Sequence, residues 1–193
     1  MPTRRFDPDR RDRIIDATLE VIAARGVAGT SHRKIADHAG VPLGSMTYHF
    51  TNMDHLLGEA FRRFADAIAD SFEVRLSSAA SADAARQAVV DLIHVDLLDS
   101  QRDLVLTLEL YTLAARELVF RQITRDWMSR SRHALERHFD PATSRMLDAL
   151  IEGHFIHAAL DTEPHDRSIT VDAVNRITAV PPGPHVSAKV LTE

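Results

Sequence analysis

Residues 30–58 read TSHRKIADHAGVPLGSMTYHFTNMDHLLG, and this stretch decides the fold. Thr30 and Ser31 are helix-capping residues standing before an amphipathic run with Ile35, Ala36 and Ala39 on one side. Gly40 stops that run, because glycine takes the left-handed position after a helix without a Cβ penalty. Val41 and Pro42 lead into a second helix, Leu43 to His49, with proline tolerated in the first turn. Seven residues are too few for a helix stable on its own. Neighbouring elements must hold it, and it is therefore displayed. Helix, glycine turn and short displayed helix is the helix-turn-helix plan.

Working outward, Ile14, Ala17, Val21 and Ile15, Thr18, Ile22 recur at three- and four-residue spacings and predict a helix from Asp9 to Arg25, closed by Gly26. Its apolar face is the floor for the next two helices. Thr51-Asn52-Met53-Asp54 reads as a capping box with Thr51 as N-cap. It opens a long helix to about Leu76, with Leu57, Phe61, Phe64 and Ile68 on one side. Further helices are predicted at 82–99, 102–116, 117–138, 142–161 and 168–179, with breaks at Asp99-Ser100, near Arg116, at Asp140-Pro141 and at Glu163-Pro164. No strand pattern or internal repeat is present. The expectation is an all-α chain: a three-helix DNA-reading domain over residues 1–58 with a basic arm at 1–8, a second, helical-bundle domain over 59–180, and a disordered tail at 181–193.

Ile35-Ala36, Ala39-Gly40-Val41, Gly44-Ser45 and Tyr48-His49-Phe50 followed by Leu56-Leu57 resemble the DNA-binding domain of TetR-type transcriptional regulators. The resemblance covers about Asp9 to Phe64. It implies that Ser45, Thr47 and Tyr48, with Leu43 and Gly44 beside them, face DNA, that His49 donates to a phosphate, and that Phe50 packs beneath the helix. Arg33 matches a position that can reach a base, where arginine pairs bidentately with guanine. Ser31, His32 and Lys34 then fall on phosphates, which position the protein without specifying sequence. The family's lysine near the start of the fourth helix is replaced here by Thr51 and Met53. The expectation is fewer ionic contacts and a shallower salt dependence. One such helix reads too few base pairs, so a two-fold dimer is expected.

Composition agrees. The formal net charge is -5, but residues 1–58 carry 8 Lys/Arg against 7 Asp/Glu, so the acidic excess lies in the remainder. A near-neutral head on an acidic body suits a protein touching nucleic acid at one end. The absence of cysteine excludes disulfides and Cys-ligated zinc. No apolar leader or bilayer-length run is present, which predicts a cytoplasmic protein with no membrane partner.

The helix at 142–161 has two apolar stripes and is predicted to be buried on two sides. In the family this helix and the last one form a four-helix bundle with their copies in a homodimer. Met146, Ala149, Gly153, Ile156 and Leu160, with Val171, Val174 and Ile177, are assigned to that interface. The other stripe, through Leu147, Leu150, Ile151, His154 and Ala158, would face a small-molecule pocket, for which His94, Tyr111, Trp127 and His154 are the candidate polar groups. Each of the four fits a plain core role as well. Glu109 is expected to be buried and in need of a partner, such as Arg116 or a cationic ligand.

The reading is a DNA-binding regulator, a repressor released from a palindromic operator by a small-molecule effector. It is no enzyme and needs no cofactor or metal. Two alternatives stay open: a constitutive or partner-regulated dimeric DNA-binding protein, and a helical metal protein or enzyme. Asp91/His94 and His154/His157 have the spacing of metal-bundle ligands. The accompanying glutamates are missing, as are phosphate-loop and nucleophile motifs.

Overall fold

A computed structural model describes residues 7–97, 101–161 and 166–179. Arms, linkers and tail outside those ranges, including Arg4, Arg5, the Asp99-Ser100 and Glu163-Pro164 breaks and the segment from Pro181, lie beyond the described residues. Within them every regular element is helical: α1 Arg10–Arg25, α2 His32–Ala39, α3 Gly44–His49, α4 Met53–Ser77, α5 Ala82–Asp91, α6 Gln101–Ala114, α7 Leu118–Leu135, α8 Pro141–Leu160 and α9 Arg167–Ala179.

Two compact units divide the chain: Met1–Ser71 with Ser100–Ser129, and Phe72–Asp99 with Arg130–Glu193. Helices α4 and α7 each contribute to both. In the first unit the two α1 stripes do what their spacing implies, since Ile14, Ile15, Ala17, Thr18, Val21 and Ile22 are all buried. The buried Thr18 hydroxyl donates to the Ile14 carbonyl at 2.8 Å, so no polar group is left unsatisfied there. Around this floor pack Ile35 and Ala36 of α2, Met46 of α3, Leu56, Phe61 and Phe64 of α4, Leu106 and Leu110 of α6, and Phe120 and Trp127 of α7. Phe61 meets Phe120 edge-on at 6.2 Å.

Glycine closes both α1 and α2. Gly26 (φ 67°, ψ 170°) donates its N–H to Ile22; Gly40 (φ 64°, ψ 37°) is left-handed. Helix α6 runs alongside α1, with Arg102 bound to Glu20 at 2.8 Å near one end and the Glu109 carboxylate against Gly26 at the other. Glu109 is therefore half-buried against a backbone turn, and Arg116 is exposed. The break expected near Arg116 falls between α6 and α7. Arg121 covers the end of α6 by donating to the carbonyls of Ala114 and Ala115, each at 3.0 Å.

The second unit has its own core of Phe72, Leu76, Val89, Leu92, Ile93, Leu135, Leu147, Ile151 and Val174. Asp140 caps α8 through the N–H groups of Ala142 (3.0 Å) and Thr143 (3.1 Å) and the Thr143 hydroxyl (2.6 Å), with Pro141 in the first turn. These bonds, led by the Thr143 hydroxyl, hold the Asp140 carboxyl below the usual range. The helix expected over 82–99 is not uniform: after Asp91 the residues Leu92–Leu97 form a π-helical stretch. Asp148 of α8 lies 3.1 Å from Arg132 of α7. Burial nevertheless pushes its carboxyl above the usual range, outweighing the arginine.

Candidate nucleic-acid interface

Helix α3 is held from below and open above. Met46 and Phe50 are buried, and Phe50 donates its N–H to Met46, closing the six-residue helix. Leu43, Gly44, Thr47 and Tyr48 are exposed, Tyr48 by 76%. An aromatic phenol that open, on a helix without polar anchors of its own, is a side chain available to a partner. His49 is half-buried and meets the Tyr48 ring edge-on at 4.8 Å.

Ser45 departs from the expectation. It is only 8% exposed, on the inward side next to Met46, so its hydroxyl does not join the outward row. At about 100° per residue it stands about 40° from the half-buried His49, on the side toward Tyr48, and a side chain so small is covered by its neighbours.

On α2, Arg33 and Lys34 are exposed. Lys34 donates to the Gly29 carbonyl at 2.6 Å, which pins its ammonium near the start of the helix. Ser31 is half-buried and caps α2, accepting from the Lys34 N–H at 3.4 Å. His32 is half-buried, and its Nε2 is buried without a hydrogen-bond partner.

The start of α4 is also rearranged. The cap is Asn52, whose Oδ1 accepts from His55 N–H at 2.8 Å, one residue later than expected. His55 reaches back, its Nδ1 taking the Thr51 N–H at 3.3 Å. A cap must sit just before the first helical residue, which is Met53, and Asn52 holds that place. Met53 itself packs against the core.

Sequence reasoning missed a cluster beneath α3. Arg11 of α1 donates to Glu59 of α4 at 2.6 Å, and its guanidinium carbon lies 5.4 Å from the centre of the Phe50 ring. His55 meets that ring edge-on, with centroids 5.8 Å apart. Arg62 also donates to Glu59, at 3.0 Å. The Arg11 bond is the chief cause that holds the Glu59 carboxyl below the usual range. The spacing of Arg11 from its partners, 48 residues for Glu59, leaves no local signal. Arg63 makes a similar tie, from α4 to Asp12 and Asp16 of α1.

The four candidate pocket residues divide between the units. Tyr111 and Trp127 are neighbours in the first, with ring centres 6.0 Å apart, and Trp127 also meets Phe64 edge-on at 6.0 Å. In the second, His94 Nε2 is paired with the Thr170 hydroxyl at 2.8 Å, and His154 Nδ1 with the Leu150 carbonyl at 3.0 Å. Asp91 is engaged by Arg167 and Gln87. The Asp91/His94 pair is thus committed to other partners, and among the described residues no group of three acidic or histidine side chains could hold a metal.

Along α8, Met146 and Ala149 are exposed, Gly153 and Ile156 are half-buried, and Leu160 is 72% exposed. Val171 of α9 is exposed as well. Val174 corrects the assignment. It is fully buried in the second unit's core, and Ile177 is half-buried against that core. Ile169, which the sequence reading passed over, is exposed instead. A 3.6-residue repeat cannot put both 171 and 174 squarely on one outward face once 170 and 174 point in.

The profile described as bacterial regulatory proteins of the tetR family matches residues 14–60. Over 70 residues the chain is 37% identical to the HTH-type transcriptional regulator PksA of Bacillus subtilis (strain 168), covering 36% of this chain and 34% of PksA, so that match spans about a third of the relative's length. The crystal structure of SCO7518 from Streptomyces coelicolor A3(2) is 59% identical, covers 90% of this chain and 100% of that one, and superposes with a TM-score of 0.84. The multidrug binding protein EbrR complexed with ethidium is 33% identical, with 89% and 99% covered and a TM-score of 0.73.

Proposed function

Since this chain belongs to the TetR family of bacterial regulatory proteins and is a DNA-binding transcriptional regulator rather than an enzyme, we propose that it is a repressor, bound as a homodimer to a palindromic operator and released by a small molecule. The observation that carries the reading is the outward row Leu43, Gly44, Thr47 and Tyr48 on a helix propped by Met46 and Phe50.

In this reading residues 1–58 are the DNA-reading part. Thr47 and Tyr48 enter the major groove, and Arg33 reaches a base edge from α2. Ser31, His32, Lys34 and His49 sit on phosphates, and Gly44 lets the backbone approach. The second copy meets the first through Met146, Ala149, Gly153, Ile156 and Leu160 of α8 with Val171 of α9. Two-fold symmetry then presents two α3 helices to successive turns of one duplex. Among the described residues no helix is long and apolar enough to cross a membrane, and in this reading the protein acts on its operator in the cytoplasm.

The similarity to EbrR, solved with ethidium, proflavin and malachite green, makes aromatic cations the first effector class to try. Release requires that the effector bind more tightly to a conformer that misplaces the reading helices, since only differential affinity shifts an equilibrium.

Selection of bound sequences from random duplex DNA by the full chain tests the proposal. The expected product is a palindrome with half-sites about one helical turn apart. Enrichment of no sequence, or of a single asymmetric half-site bound by a monomer, would overturn it. Adding ethidium, proflavin or malachite green to the selected complex tests release.

A further inference from the structure

The cluster under α3 supports an inference that rests on the DNA-reading role just proposed. We infer that Arg11 is a positioning residue for the reading helix: it touches no DNA, and it sets the pose of Tyr48 and His49 by clamping the Phe50 ring between α1 and α4.

The geometry is specific. Phe50 ends α3, its N–H making that helix's last bond, to Met46 at 2.9 Å. Its ring is 2% exposed. The Arg11 guanidinium lies at cation–π range, 5.4 Å from the ring centre. His55 lies against the ring at 5.8 Å and His49 at 6.2 Å. His49 in turn meets the Tyr48 ring at 4.8 Å. A continuous row of side chains therefore runs from Arg11 through Phe50 and His49 to the most exposed aromatic of the reading face. The same guanidinium donates to the Glu59 carboxylate at 2.6 Å, which Arg62 also holds, at 3.0 Å. A planar guanidinium can stack on a ring and donate to a carboxylate at once; an ammonium cannot do both with the same directionality. A six-residue helix with no stability of its own takes its orientation from whatever fixes its ends. Loosening Phe50 should therefore blur the reading face without unfolding the unit, whose other core residues are untouched.

Arg11 is partly exposed and basic, so the competing role is a direct phosphate contact. Two substitutions separate the roles by sign. Arg11→Met removes the cation and the stack. Glu59→Gln leaves the cation and removes a negative charge, which by itself favours binding to DNA. The probe is the duplex that the wild-type chain selects from random sequence, with Kd measured across a salt series and helix content and melting followed by circular dichroism.

The positioning role predicts that Arg11→Met and Glu59→Gln both weaken binding, Arg11→Met by about tenfold, with the slope of log Kd against log salt unchanged. Discrimination against single-base changes should fall in both, and Arg11→Lys should restore binding only in part. Three results would overturn it: a slope reduced by about one unit in Arg11→Met, tighter binding by Glu59→Gln, or melting losses in both variants with unaltered Kd and discrimination below the transition. A wild-type chain that selects no duplex would instead remove the DNA-reading premise, and the proposal with it.

Discussion

Replacing Gly26 by alanine should cost the first unit more than the same change at Gly40, although both glycines close helices. Gly40 has φ 64° and ψ 37°, the ordinary left-handed region, and a Cβ there would meet nothing within 4 Å. That conformation costs an alanine about 1–2 kcal/mol, and alanine recovers about 0.4–1 kcal/mol by restricting the unfolded chain. Gly40→Ala should therefore destabilise by roughly 1 kcal/mol. Gly26 has a similar φ, 67°, but its ψ of 170° falls in a region that is essentially glycine's alone. Strain there reaches about 3 kcal/mol, and a Cβ would stand 2.5 Å from the Glu109 Oε1. Glu109 ends in a flexible carboxylate that can swing aside, so the clash adds little and the backbone dominates. Gly26→Ala should cost roughly 2–3 kcal/mol net. Most of that should survive in a Glu109→Ala background, with a coupling below about 1 kcal/mol. Urea unfolding followed by circular dichroism at fixed protein concentration measures the wild type and all four variants. A Gly26→Ala cost no larger than that of Gly40→Ala would refute the backbone account. A cost abolished by Glu109→Ala would transfer it to the side-chain approach.

Three further outcomes are expected. Arg33→Ala should lower affinity for the selected duplex by about 1–3 kcal/mol and relax preference at one base pair; uniform weakening on every sequence would make Arg33 a phosphate contact. Ala149→Glu places a charge in the middle of the exposed α8 face and should yield a folded monomer by sedimentation with helix content retained, whereas a persistent dimer would remove that face from the interface. Asp148 binds its proton more tightly folded than unfolded, so wild-type stability relative to Asp148→Asn should fall as pH rises from the ordinary aspartate range, about pH 4, through the raised folded value. Paired urea midpoints read this, and a difference that grows in favour of the wild type over that window would contradict the burial effect.

Much of the architecture was legible because helices announce their ends. Gly26, Gly40, Asp140-Pro141 and the Ile14/Val21 and Ile15/Ile22 stripes are local signals, and each lies where local physics puts it. What failed was decided by neighbours distant in sequence. Ser45 is small enough for either side of a helix, and only tertiary cover makes it inward. Thr51 and Asn52 are both competent caps, and the choice turns on the helix starting at Met53. Val174 and Val171 look alike in a short apolar repeat, yet packing against α5 and α8 decides which is core. The Arg11–Phe50–Glu59 cluster joins α1, the end of α3 and α4, and nothing within any one of those segments points to it.

Trp127 is the chain's single tryptophan, and it stands in the first unit between Tyr111 and Phe64. All indole emission therefore arises from one place, while peptide ellipticity sums over both halves. Red shift of that emission at a lower urea concentration than loss of ellipticity would mean that the half carrying the reading helix melts first. Superimposed curves would mean that the two cores rise and fall together. The molecule thus carries an internal optical gauge that distinguishes local loosening of the half that holds α3 from global collapse, with no label attached.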